Sequence, residues 1–148
     1  MESKAITIYT FNKRFAELVK QFENEEITPC YSLPDFRDNS FKAMKVIAGA
    51  MLCFKTRTEV FKDASRVLRL KSHEYSTSAN RYMNFENAAI PAKIQPIEVL
   101  NYYKLKHWEW CRANQPTPEN IDSLGDSPFR EHYGDLFNYT VLGYIYSL

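Results

Sequence analysis

The chain has 148 residues, 45% of them hydrophobic, 25% charged and 15% aromatic, a size suited to one globular domain rather than two. Its 19 lysines and arginines oppose 18 acids, and the formal charge of +1 excludes a uniformly basic nucleic-acid coat or an acidic solvating tail. That sum hides a gradient: residues 1–41 carry −2, residues 42–81 carry +6 from nine basic and three acidic side chains, and residues 82–148 carry −3.

The chain opens with an acid at position 2 and no long apolar run, unlike a secretory leader. Residues 1–10 are rich in β-branched and aromatic types and read as a short strand or extended arm. Phe11, Phe15, Leu18, Val19 and Phe22 then recur at helical spacing, with Lys13, Arg14, Glu17, Lys20 and Gln21 between them. This pattern predicts an amphipathic helix over roughly 11–26. Pro29 and Pro34 make 27–40 an irregular connection, after which Asp38, Asn39 or Ser40 supplies a helix cap.

Residues 41–54 are apolar almost all round, which predicts the central helix of a bundle. Gly49, between Ala48 and Ala50, is expected to allow close helix contact at some cost in propensity. The longest nearly apolar stretch, 46–54, is about half a membrane span, so no membrane segment is expected.

Thr56 and Glu59 have capping-box spacing and open a helix through about residue 74. Val60, Phe61, Ala64, Val67, Leu68 and Tyr75 share one face. Lys62, Arg66, Arg69 and His73 fall within about 60° of one another on another face, and Lys55 projects the same way if the helix reaches back to it. Glu59 and Asp63 border this stripe and are expected to relieve part of its self-repulsion. Residues 76–81, ending in Arg81, add hydroxyl, amide and guanidinium donors suited to phosphate oxygens; Tyr75 and Tyr82 have the type needed to stack on a base.

A short helix is expected from Ser78 to about Ala88, then a turn bracketed by Pro91 and Pro96. The next amphipathic helix covers 97–113, with Ile97, Leu100, Tyr103, His107, Trp108 and Cys111 along one side. Thr117-Pro118 and Ser127-Pro128 read as cap-and-first-turn pairs. From Phe129 onward a helical stripe runs to Leu148, although 140–147 also has strand composition. The longer period favours a helix. The fold is therefore read as mainly α, a compact bundle of five or six helices with a short N-terminal extended segment, spanning 1–148 as one domain. A strand at 140–147 would make it α+β.

Little of this points to catalysis. The four glycines, 49, 125, 134 and 143, are too dispersed for a phosphate loop. Cysteines 30, 53 and 111 form an odd set suited to free thiols in a reducing cytosol. His73, His107 and His132 are far apart in sequence, so no metal is assigned, and no cofactor. Glu23, Glu25 and Glu26 read as solvated. Glu119, Asp122 and Asp126 match no standard calcium loop. The enzyme alternative is a small nuclease or transferase using His73 with Arg81, or a His107–Cys111 pair; a carboxylate or amide orienting His107 at a pocket would mark the latter.

The expected function is instead a cytoplasmic, non-catalytic adaptor or inhibitor. It would dock through Lys55, Lys62, Arg66, Arg69, His73 and Arg81 onto an acidic protein surface or a protein–nucleic-acid complex. Trp110, Tyr139, Tyr144 and Tyr146 form a second candidate interface, for a partner or for homo-oligomerisation.

Overall fold

Three helices begin where a hydroxyl can accept an otherwise unpaired backbone amide. Thr7 Oγ1 accepts from the Thr10 amide at 3.1 Å and Ser40 Oγ from the Ala43 amide at 3.2 Å. Thr56 and Glu59 form the predicted capping box, at 3.3 Å in each direction. The computed structural model describes residues 5–121 and 126–148, without the side chains of residues 71–75, 126 and 127. Within that part the helices are α1 (Ile8–Glu23), α2 (Phe41–Met51), α3 (Arg57–Tyr75), α4 (Met83–Ala92), α5 (Pro96–Ala113) and α6 (Asp126–Ser147). Buried side chains from all six join one hydrophobic cluster. None of the described helices is long and apolar enough to cross a membrane.

The mainly α reading holds, and 140–147 is helix. Its strand-like residues are buried at helical spacing, with Phe137, Val141 and Ile145 aligned toward the core. The N-terminal extended segment is shorter than expected, because the Thr7 cap starts α1 at Ile8. Residues 5–7 lie against 78–81: the Ile8 amide donates to Ser78 O at 3.0 Å and the Arg81 amide to Ile6 O at 2.7 Å. Those bonds hold 76–82 in turns, so α4 begins at Met83 rather than Ser78. It runs through Pro91 and stops at Lys93, whose φ of 56° lies in the left-handed region.

The central helix is α6 rather than α2: it packs against α1, α2, α3 and α5. What meets Gly49 is likewise not another helix. The Cys30 amide donates to Gly49 O at 3.1 Å, bringing the extended chain of 27–30 onto α2. This connection then crosses the bundle as a strap. Trp108 Nε1 donates to Pro34 O at 2.7 Å, and Lys104 Nζ donates to Asp38 O and Asn39 Oδ1 at 2.9 Å each. The Asn39 amide fills the space where a Cβ on Gly143 would stand. Lys104 is only 1% exposed. Burial pulls its pKa down to about 8, against the attraction of Asp38 and Asp35.

A Cβ at residue 49 would lie 2.7 Å from Thr28 O, a backbone atom with little freedom to move. Gly49→Ala should therefore destabilise the fold by about 1–3 kcal/mol, despite alanine's better helix propensity. Urea denaturation checks this, and an unchanged or higher midpoint would show that the strap yields without penalty.

Candidate functional site

The outward side of α3 retains three of the expected basic residues. Lys62, Arg66 and Arg69 are exposed, and none has an ion-pair partner among the described residues. The acids expected to relieve them are engaged elsewhere: Glu59 accepts from Arg130 at 2.9 Å and Asp63 pairs with Lys55 at 3.0 Å. Arg66 also stands on a cleft between α3 and α6 whose walls include Glu131 and Asp135.

The structure withdraws other members of the predicted set. Lys55 precedes α3, is buried and pairs with the partly exposed Asp63, so it does not extend the stripe. Arg81 is 2% exposed, with its guanidinium 5.1 Å from the Phe11 ring centre. The neighbouring donors also face inward: Asn80 Nδ2 donates to Glu86 Oε2 at 2.7 Å, and Asn80 Oδ1 accepts from the Tyr82 amide at 3.0 Å. Tyr82 is buried, its hydroxyl donating to Leu142 O at 2.5 Å, and cannot stack on a base. The side chains of His73 and Tyr75 lie outside the described residues.

The proposed aromatic interface is largely internal. Trp110 stacks on His132, ring centres 4.3 Å apart and 14° from parallel. Tyr139 lies between the rings of Tyr103 and His107, Tyr146 packs edge-on to Tyr82, and Tyr144 is half-buried against the same core.

The His107–Cys111 pair does not form. Cys111 is fully buried and burial pushes its thiol far up, so the nucleophilic thiolate is disfavoured. His107 instead meets two groups from α6. Its Nδ1 lies 3.3 Å from His132 Nδ1, and its Nε2 lies 3.6 Å from Asp135 Oδ2. This meeting was not legible in the sequence, because 25 residues separate the two rings. The i, i+3 spacing of His132 and Asp135 on one helix was its only trace.

His107 and Asp135 line a cavity of about 380 Å³ walled by α3, α4, α5 and α6. Its lining contains no serine, threonine or cysteine among the described residues. Arg81, Asn84 and Asn138 are among its lining residues, but Arg81 Nε, Asn84 Oδ1 and Asn138 Oδ1 are buried away from it, without hydrogen-bond partners among the described residues. Each such atom costs about 1–3 kcal/mol if left dry. Elsewhere, Glu25 pairs with Lys45 at 2.9 Å, and Asp122 and the Asp126 side chain lie outside the described residues. No group of three or more metal-ligating side chains converges among the described residues.

Desolvation, with His132 and Lys106 close by, lowers the pKa of His107; Asp135 and Glu131 pull the other way. Asp135 loses because 3.6 Å is long for a hydrogen bond and its side chain is one-third exposed. His107 should thus titrate below about 6.5 by NMR, its unperturbed value. The folded state then binds fewer protons than the unfolded chain, so this contribution to stability is intact above that value and is lost as pH falls below it. Thermal unfolding between pH 7 and 5 should show less acid sensitivity in His107→Gln than in the wild type. Titration above 6.5 would mean that Asp135 prevails.

No known protein-family model, curated protein or solved structure matches this chain.

Proposed function

We propose that this protein is a non-catalytic binding module that docks onto an acidic protein surface through the outer face of α3. The observation that supports it is the exposed set Lys62, Arg66 and Arg69, without ion-pair partners among the described residues, alongside Lys45, Lys55 and Arg130, which all have carboxylate partners. At positions i, i+4 and i+7 the three cations span about 10 Å of helix. Like charges at that spacing repel by a few tenths of a kcal/mol per pair, a penalty that an acidic partner reverses.

Leu70 favours protein over nucleic acid. It is 53% exposed and sits one turn beyond Arg66 on the same side of α3. Apolar and cationic groups together suit a protein interface, whereas a phosphate backbone presents only charge and hydrogen-bond acceptors. The three free thiols suit work in the reducing cytosol.

Co-purification from the native cell, with and without nuclease, tests this reading against Arg66→Glu/Arg69→Glu. A protein partner should remain after nuclease treatment and dissociate as salt is raised. The double variant should bind it at least about tenfold more weakly, or about 1.4 kcal/mol, while its circular dichroism and thermal midpoint stay near wild type. Loss of the partner on nuclease treatment would assign the face to a nucleic-acid complex. Equal retention by the double variant would overturn docking through α3.

A further inference from the structure

α1 and α3 each pack on α6, and a groove of about 800 Å³ runs between them. At one end the rings of Phe22 and Phe61 meet, centres 5.1 Å apart, and Arg57 Nη2 donates to Phe22 O. At the other, the Ile8 amide donates to Ser78 O, just beyond α3. The two helices therefore run antiparallel and touch near their ends. On α1 the lining residues from Ile8 to Glu23 recur every three or four positions, so the groove follows one face of that helix for about 22 Å. Phe15, Val19 and Phe61 on its walls are only partly buried. Ala16, at mid-length, is exposed and carries only a methyl group, which leaves room for another helix to approach α1.

Positive charge follows both rims. Arg69 lines the α3 side, with Lys62 and Arg66 about 20° and 60° further round that helix. Lys20 lines the α1 side, and Lys13 lies about 20° beyond it. All five are exposed, and none has an ion-pair partner among the described residues. Glu23, at the end where Phe22 meets Phe61, is the one acid among the described lining residues. An apolar floor between cationic rims is complementary to an apolar stripe flanked by carboxylates.

We infer that this groove takes an acidic amphipathic helix of a partner protein. The apolar stripe of that helix lies on Phe15, Val19 and Phe61, and carboxylates on its two flanks face Lys20 and Arg69. The inference rests on docking through the outer face of α3 and deepens it, since Arg69 belongs to both surfaces. A helix bonds its own amides and carbonyls, so it can bury an apolar stripe between two other helices and leave no backbone group unpaired. An extended segment would need a free sheet edge, which two helices do not offer. A phosphate backbone would engage the rims alone and leave the apolar floor uncovered.

Fluorescence anisotropy of the full chain with three labelled peptides of about 16 residues, the length of the groove, provides the test. The first carries leucines at helical spacing flanked by glutamates. The second has lysine for every glutamate, and the third has glutamine for every leucine. The acidic amphipathic peptide should bind with Kd below about 100 μM, at least about tenfold more tightly than either control, and more weakly as salt is raised. Ala16→Glu places bulk and like charge in the groove at an exposed position. It should keep the wild-type thermal midpoint and weaken that peptide at least about tenfold. Should its midpoint fall, Lys20→Glu decides, with a severalfold weakening expected. No binding of the acidic peptide at millimolar concentration, equal binding of either control, or undiminished binding by the deciding variant overturns the inference. A dimer in sedimentation that Ala16→Glu dissociates would assign the groove to a second copy of this chain and overturn it as well. The partner purified from the native cell separates the two surfaces. Its retention by Ala16→Glu and loss by Arg66→Glu/Arg69→Glu would keep docking through α3 and overturn the groove. Its retention by the double variant would overturn docking through α3, while the groove stands or falls with the peptides.

Discussion

The burial of the α6 segment 136–145 is the constraint around which the other helices are arranged. Over residues 136–145 only Tyr139 and Tyr144 retain partial exposure. A helix enclosed in this way must place its polar groups without help from bulk water. Thr140 turns its hydroxyl back to Leu136 O at 2.8 Å, and Arg14 reaches Ile145 O, near the negative end of the helix, at 3.3 Å. Tyr82 adds a bond to Leu142 O. Gly143 admits the side chain of Asn39, which draws the strap from α1 to α2 onto the same helix. Asn138 Oδ1 is left buried without a hydrogen-bond partner among the described residues.

Three buried cations show how differently one fold can treat positive charge. Lys55 has a carboxylate, Asp63. Lys104 has two neutral oxygens from the strap, and burial lowers its proton affinity. Arg81 has an aromatic ring and a long bond to a carbonyl. Two of these three lie in the strongly basic middle third, and so part of its +6 charge never reaches the surface. The remaining cations on α3 are fewer than composition suggested; Lys62, Arg66 and Arg69 are exposed and have no ion-pair partner among the described residues.

Much of the secondary structure was legible because it depends on neighbours in sequence. The Thr56–Glu59 box, a cap among Asp38, Asn39 and Ser40 and the apolar period of α6 involve residues three or four positions apart, and the structure contains all of them, with Ser40 as the cap. The expected polar faces were less secure. A helical wheel separates polar from apolar positions but cannot reveal which polar position another element covers. Lys104 is enclosed by the strap, and Arg81 by α1 and the turns around it. The same limitation made Trp110, Tyr139, Tyr144 and Tyr146 resemble an exposed surface, although their partners lie on other helices or far along the chain.

The sequence by itself determined a mainly helical chain, about half of its helix boundaries to within a residue and the cationic stripe on α3. Those features follow from period, capping and propensity, which act within one or two turns. Only the tertiary structure decided that α6, not α2, is central, and that Arg81 and two asparagines meet at one cavity. It also brought His107 to His132 and Asp135. These outcomes depend on packing between distant segments, where close contact at Gly49 and Gly143 and the desolvation of individual polar atoms determine which surfaces can meet.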